Sequence, residues 1–472
     1  MITNNDEPFK AAPLSAAFLE RLSTIAGKKN LLTEQADCWP YGYDNSRRHT
    51  CPQAVVFGES HEQVKALVEA CNEEGVTLIA RGRGTGTTGA TVPHTGGIVL
   101  SLERMNKLLE IDVDNRLARV EPGITNQALQ DAIGEHGFFW PPDPTSAAFC
   151  TVGGNLAYNS AGPRAVKYGT PRENTLGLRA ITGLGEEIKT GVLTSKGVVG
   201  YDLTRLLIGS EGTLAIITEA TLKLTPLPEA TRTIQACYKD IHSAAQAVSA
   251  IMAQPTIPRI LEFMDKKALE MVRNFSDPGL PEGVNALLII AVDGPAHGLN
   301  DSVEDIRKAA ENDGLILFDT ADTEEAVQRL WKTRKSLSPA LRNVAPKKIN
   351  EDVVVPISHI PDLIGGLEKL SEKHDIIIVN FGHAGNGNIH VNLLLNPDEP
   401  GRMEQAIACL DDVFDLVLKL GGTLSGEHGI GLEKRDFIDR EIDPVALRLM
   451  RDIKRQFDPN DILNPGKVFP AA

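Results

Sequence analysis

The sequence predicts a globular chain of several domains that mixes strands and helices. Three observations lead there. Its 472 residues exceed the roughly 100–200 of a single domain. Hydrophobic residues make up 42% and charged residues 24%, the balance of a folded water-soluble protein rather than a disordered one. The residue pattern changes at Pro226-Leu227-Pro228, a predicted domain boundary.

Ahead of that boundary, the spacing of Val64, Leu67, Val68 and Cys71 predicts an amphipathic helix over His61–Gly75. The apolar run 76–80 predicts a buried strand that leads into Arg81-Gly82-Arg83-Gly84-Thr85-Gly86-Thr87-Thr88-Gly89. Strand signals resume at 97–102, and 108–112 with 117–121 predict a hairpin around Asp114-Asn115. A Gly/Asn/Ser-rich stretch over 151–169 and the turn Gly209-Ser210-Glu211-Gly212-Thr213 read as polar loops, the latter entering a strand at 214–218. Beyond the boundary, strands are expected at 231–238, 259–263, 286–292 and 315–318, with helices at 243–252 and 301–312. That order is close to two β-α-β units, the ferredoxin-like pattern. Helices are further expected at 324–341, 360–374, 403–420 and 445–457, with strands at 376–380 and 389–395.

Charge and cysteine placement exclude several functions. The 48 basic and 63 acidic residues leave a net charge of −15 without a basic block, so nucleic acid is a poor partner. No Cys-x-x-Cys pair occurs among the six cysteines, which argues against an Fe–S cluster or zinc ribbon. No apolar run approaches the roughly 18 residues of a membrane span. The N-terminal Met1-Ile2-Thr3-Asn4-Asn5-Asp6-Glu7 lacks the pattern of a secretory signal. A cytoplasmic protein is expected, with contact at the inner membrane face left open.

The glycine-rich loop needs a physical reason. Glycines let backbone approach a ligand and turn successive N–H groups toward one anion, and a diphosphate fits that description. No Gly-Lys-Ser/Thr follows, so this is not a P-loop. The run leads into a strand rather than a helix, so the dinucleotide fingerprint also fails. A tight turn without a ligand is the alternative for this loop taken alone.

His383 and His390 flank Ala384-Gly385-Asn386-Gly387-Asn388-Ile389. The glycines and asparagines disfavour a helix, and an odd spacing would separate the rings in one straight strand. A turn between two strands lets them converge. His390 and Asn392 are polar residues in an otherwise apolar strand, two apart and so on one face. Glu427 and His428 lie in a second Gly-flanked segment, 421–431. Two imidazoles and a carboxylate suit a borderline divalent metal with open positions. The alternative is a set of hydrogen-bonded turn residues.

Several separated motifs carry a resemblance. They are the glycine loop, Pro142-Asp143-Pro144-Thr145-Ser146, Thr151-Val152-Gly153-Gly154-Asn155, Asn159-Ser160-Ala161-Gly162, and Gly209 to Leu214. Together with the His/Glu segments, and over about residues 40–470, the chain resembles the FAD-linked D-2-hydroxyacid dehydrogenases of the vanillyl-alcohol oxidase superfamily. That group holds D-lactate dehydrogenase, D-2-hydroxyglutarate dehydrogenase and the glycolate oxidase D-subunit. The resemblance implies an α+β fold: a two-part PCMH-type FAD-binding domain, a ferredoxin-like cap domain, and a C-terminal segment returning to the flavin. The expected bounds are an N-terminal segment 1–48, the FAD domain 49–227, the cap 228–420 and the C-terminal segment 421–472.

By motif, Arg81, Gly82, Arg83, Gly84, Thr85, Gly86 and Gly89 would hold the FAD diphosphate. Pro142, Thr145, Thr151, Gly153, Gly154, Asn155, Ser160 and Gly162 would line the flavin, and Ile216 and Ile217 would cover the adenine. No His lies between Arg81 and Thr91, so noncovalent FAD is expected; the nearest is His94. His383, His390 and Glu427 would ligate a divalent metal, zinc by expectation, and His428 would be the catalytic base. Arg334, Ser338 and Asn392 would contact substrate along with His428.

The implied reaction is oxidation of a 2-hydroxy acid to the 2-keto acid by hydride transfer to flavin N5. Electrons would then leave to a quinone, a cytochrome, an electron-transfer flavoprotein or an Fe–S partner subunit; a homodimer is compatible. Relatives acting on the five-carbon diacid carry a Lys where this chain has Asn350, which favours D-lactate, with glycolate close behind. Lys347 and Lys348 lie just upstream. A metal-dependent hydrolase and a non-catalytic electron-relay subunit are the competing readings.

Overall fold

The proline-flanked break at 226–228 divides the chain in space. The computed structural model describes residues 12–275, 279–321, 323–335 and 337–470. One unit comprises residues up to 162, 169–227 and 427 onward; the other comprises 163–168 and 228–426. The N-terminal seven residues, on which a secretory signal was tested, lie outside the described set.

The first unit holds two main sheets. Strands β1 (Leu31–Leu32), β2 (Ala54–Phe57), β3 (Leu78–Arg81) and β4 (Ile98–Ser101) form one, in the order β1-β2-β4-β3 with the last three parallel. Strands β5 (Leu108–Asp112) and β6 (Leu117–Val120) make the predicted hairpin. A short β7 (Phe138–Phe139) pairs with β11 (Thr225–Pro226). The second sheet is antiparallel, β5-β6-β10-β8-β9, and adds β8 (Thr175–Thr182), β9 (Glu187–Gly191) and β10 (Ala215–Lys223). Helix His61–Glu74 buries Val64, Leu67, Val68 and Cys71 on the first sheet, as the periodicity predicts. The C-terminal segment rejoins this unit where Leu78 N donates to Ile462 O at 2.7 Å.

The second unit is one seven-stranded antiparallel sheet. It contains β12 (Ala230–Tyr238), β13 (Ile260–Met264), β14 (Ala286–Gly294), β15 (Leu315–Ala321), β16 (Lys347–Val354), β17 (Ile377–His383) and β18 (Asn388–Leu395). The order is β15-β12-β14-β13-β17-β18-β16. Its first four strands run fourth-first-third-second in space, which is the ferredoxin-like arrangement. Alternation places Met264, Leu287, Ile289, Val379, Phe381 and Leu394 on one face, where they pack with Ala268, Leu269, Leu330, Leu337 and Leu341 from helices. Among the described residues, no helix is long and apolar enough to cross a membrane.

Two expectations are corrected. The stretch 151–169 is not all loop: helix Val152–Tyr158 forms because Thr151 Oγ1 caps it, accepting from Gly154 N at 3.2 Å. Helix is described over Glu324–Lys335 and Leu337–Val344, on either side of residue 336, which lies outside the described set. Strand β16 went unpredicted because Lys347-Lys348-Ile349-Asn350-Glu351-Asp352 is mostly charged. It is an edge strand with one neighbour, where charge is tolerated. The second unit runs to Gly426, where Thr423 bridges to Val354 and Gly426 N donates to Asp352 Oδ2 at 2.9 Å.

The β17–β18 turn demands glycine at one position. Gly387 has φ +74°, and a Cβ there would stand 1.9 Å from the carbonyl oxygen of Val355. Gly387→Ala should therefore destabilise this unit by roughly 2 kcal/mol or more, seen as a lowered urea midpoint with unchanged m. A midpoint equal to wild type would show that the turn is not under this constraint.

Candidate active site

In the first unit the glycine loop leaves the end of β3 and meets the cap of helix Val152–Tyr158. A Cβ on Gly82 would lie 2.4 Å from Thr151 Oγ1, so only glycine allows this approach. A cavity opens here, lined from both sheets. Arg81, Gly82, Thr151, Gly153, Gly154, Ile216 and Ile217 line it, joined by Tyr158, Ser210, Glu211 and Gly212. Ile216 and Ile217 alternate along β10 and pack into different apolar clusters, so the strand separates two cores beside the cavity.

The remaining predicted cofactor residues lie outside this lining. Thr145 is exposed. Arg83 faces Glu103 at 3.4 Å. Asn155 is buried against Asn126, whose Nδ2 donates to Asn155 Oδ1 at 3.2 Å and to Pro142 O at 3.0 Å. Ser160 Oγ donates to the Glu427 carbonyl at 3.2 Å, and Gly162 N to its Oε2 at 3.0 Å. These last two thus hold Glu427. Gly84, Thr85, Gly86 and Gly89 continue the loop beyond the cavity wall; Asn45 ties it down by donating to Thr85 O and Gly86 O.

Buried charge supports the loop. Arg81 Nη1 donates to Tyr43 O at 2.6 Å, and burial lowers its pKa below the ordinary arginine value. Lys467 Nζ donates to Ala90 O at 3.0 Å and Val92 O at 2.7 Å, and burial brings its pKa down to about 7. Glu211 sits at φ +53° and accepts from Ile430 N at 2.6 Å and Gly431 N at 2.8 Å. Burial outweighs those amides and raises its pKa to about 7. Its carboxylate therefore fixes the backbone just after His428, whose carbonyl accepts from Thr88 Oγ1 at 3.4 Å.

In the second unit the hairpin works as the sequence suggested. A 3-10 turn, Ala384–Asn386, joins β17 to β18, and Phe381 pairs with His390. The His383 and His390 rings meet edge to face with centroids 5.2 Å apart, both buried. Asn392 is fully buried; its Nδ2 donates to Val379 O and His390 O, while its Oδ1 meets no donor among the described residues. Asn350 on β16 lies directly opposite Asn392. Lys348 shares that face two residues along, and Lys347 points to the other.

Arg334, near the end of its helix, donates from Nε to Glu262 Oε2 at 2.6 Å and stacks its guanidinium 4.7 Å from the Phe381 ring centroid. Ser338 falls on helix Leu337–Val344, and its side chain lies outside the described set. Gly426, anchored on Asp352 opposite His390, is peptide-bonded to Glu427.

Tyr158, Glu211 and Glu262 were missed. Glu211 lies within a turn already suspected of wrapping a ligand. Glu262 carried a readable signal, because it is the one charged residue in Ile260-Leu261-Glu262-Phe263-Met264, a strand buried along its length.

The sequence matches the FAD binding domain family over residues 52–191 and the family of FAD linked oxidases, C-terminal domain, over 227–468. The chain belongs to the FAD-linked oxidases. It is 39% identical to a glycolate oxidase subunit GlcD of Bacillus subtilis over 95% of this chain and 96% of that one. It is 36% identical to a D-lactate dehydrogenase of Archaeoglobus fulgidus, over 91% and 95% of the two chains. The structure of p-cresol methylhydroxylase aligns with a TM-score of 0.76 over 96% of each chain at 19% identity, a likeness of fold.

His94, half-buried three residues past the loop segment ending at Thr91, provides a pH test. Burial, then the charges of Lys467, Arg435 and Arg48, bring its pKa down to about 3, against about 6.5 when unfolded. Neutral His94 is favoured in the fold, so its contribution is complete above about pH 6.5 and is lost as pH falls toward 3. In urea unfolding between about pH 6.5 and 4.5, His94→Gln should lose stability less steeply than wild type, by up to about 1 kcal/mol per pH unit. Parallel slopes would contradict the burial of a neutral imidazole.

Proposed function

We propose that the chain oxidises a short D-2-hydroxy acid to the 2-keto acid, with D-lactate favoured over glycolate and D-2-hydroxyglutarate. The observation that carries this reading is the single sheet face on which His383, His390, Asn392 and Asn350 lie together, with Arg334 at Glu262. The relatives named for glycolate and D-lactate support it, since both compounds are 2-hydroxy acids.

The residues suit the implied groups. The cavity offers a glycine approach, buried Arg81 and apolar Ile216 and Ile217 to an FAD bound noncovalently, with Thr151, Gly153 and Gly154 along its wall. Bound there, FAD supplies the hydride acceptor. The donor chemistry of His383, His390 and Glu427 suits a divalent cation such as zinc, which supplies Lewis acidity to the substrate hydroxyl.

The chain's own residues do the rest. Arg334 pairs with the substrate carboxylate through guanidinium N–H groups not used on Glu262. Asn392 Oδ1, a buried acceptor, orients the hydroxyl. His428 takes the hydroxyl proton; an imidazole is suited to that work near neutral pH. Ser338, on helix Leu337–Val344, is a further substrate contact in this reading. Electrons then pass to a quinone, a cytochrome, an electron-transfer flavoprotein or an Fe–S partner subunit. We place the protein in the cytoplasm or at the inner membrane face.

Dye-linked oxidation of D- and L-lactate, glycolate and D-2-hydroxyglutarate tests this. D-lactate should give the highest kcat/KM. A distal carboxylate facing uncharged Asn350 forgoes a charge pair of roughly 3–5 kcal/mol if buried, less where solvent reaches it. Asn350→Lys should accordingly raise kcat/KM for the diacid about tenfold or more relative to D-lactate. A wild-type preference for the diacid would assign that role to Lys348.

Chelation should abolish turnover while leaving the flavin spectrum nearly unchanged, because the metal ligands and the glycine loop are different residues. Full activity after chelation, with His383→Ala equally active, would remove the metal from the reaction.

A further inference from the structure

Glu262 belongs to none of the motifs that suggested the function. It is the central charge of β13 and sits beside His383 across the sheet, since Phe263 pairs with Gly382 and Met264 with Phe381. Its side chain is 3% exposed. One carboxylate oxygen accepts from His383 Nδ1, and the other from Arg334 Nε at 2.6 Å.

An ionised carboxylate only accepts hydrogen bonds, so His383 Nδ1 must carry the proton. In the neutral ring the lone pair then belongs to Nε2. The Arg334 guanidinium is likewise held by one edge, with its plane fixed over Phe381.

We infer that Glu262 is a positioning residue shared by the metal ligand His383 and the substrate arginine Arg334, setting the tautomer of the one and the orientation of the other. The inference rests on the metal and substrate reading above. It adds that the two halves of the site, cation and carboxylate clamp, are set by one side chain. Carboxylates behind metal-bound imidazoles fix ring orientation, and their loss typically costs about 10–100-fold in metal affinity. Glu262 differs from that general case in also holding the arginine.

The test compares wild type with Glu262→Gln, which keeps size and one acceptor but has no acceptor left for Arg334 when that oxygen serves His383. Zinc affinity is measured by chelator competition on the flavin-loaded proteins, and KM for D-lactate by dye reduction. The expected result is a zinc Kd raised about 10–100-fold and a KM raised severalfold, with flavin content and spectrum unchanged. If the Gln variant does not fold, Glu262→Asp replaces it. That variant keeps the charge but is too short to span both partners, and the same loss is expected.

Wild-type zinc affinity and KM in a folded, flavin-loaded variant would overturn the inference while leaving the metal reading intact. Wild-type protein that takes up no zinc would overturn both.

Discussion

The pairing register of β16, β18 and β17 is the constraint on which the candidate site depends. Side chains alternate with a period of two, so one register places Asn350, Asn392, Asp352, His390, Phe381 and His383 on a common face. A slip of one residue in β18 would send His390 and Asn392 to the opposite face. Two features hold the register. The first is the Gly387 turn, which no Cβ can enter. The second is the bridge from Val354 to Thr423 at the end of β16. A local backbone requirement thus sets the placement of residues far apart in sequence.

The first unit solves a different problem by the same means. A glycine loop that approaches a ligand cannot stabilise itself with side chains, so other parts of the chain do so. Lys467 donates to carbonyls at the loop's end, and Asn464 links that lysine to the Glu211 carbonyl. Glu211 in turn holds the amides after His428. Loop, cavity wall and the backbone of the proposed base therefore share one buried polar network. Such a network is costly if half satisfied and specific when complete.

Much of this was legible in the sequence, for identifiable reasons. His390 and Asn392 stood out because polar residues in an apolar strand must serve something, and a Gly/Asn run between two histidines could only be a turn. The ferredoxin-like order followed from alternating periodicities. Strand β16 was illegible because its charges mimic a loop until the neighbouring strand is known. Helix Val152–Tyr158 was hidden by glycines that a Thr cap offsets. Glu262 obeyed the same rule that exposed His390, but its meaning needs His383 and Arg334, which lie 121 and 72 residues away. Asn155 sits in a motif that suggested flavin contact, and its side chain pairs with Asn126 and Cys150.

The central claim is that the C2 hydrogen of a D-2-hydroxy acid leaves as hydride to the flavin. The direct measurement is anaerobic stopped-flow bleaching of the bound flavin on mixing with D-lactate, with D-lactate deuterated at C2, and with L-lactate. The prediction is a fast loss of flavin absorbance with D-lactate, a slower loss with the deuterated compound, and none with L-lactate. Oxidised flavin that persists in the presence of every 2-hydroxy acid tested, in protein that carries its metal, would contradict the account.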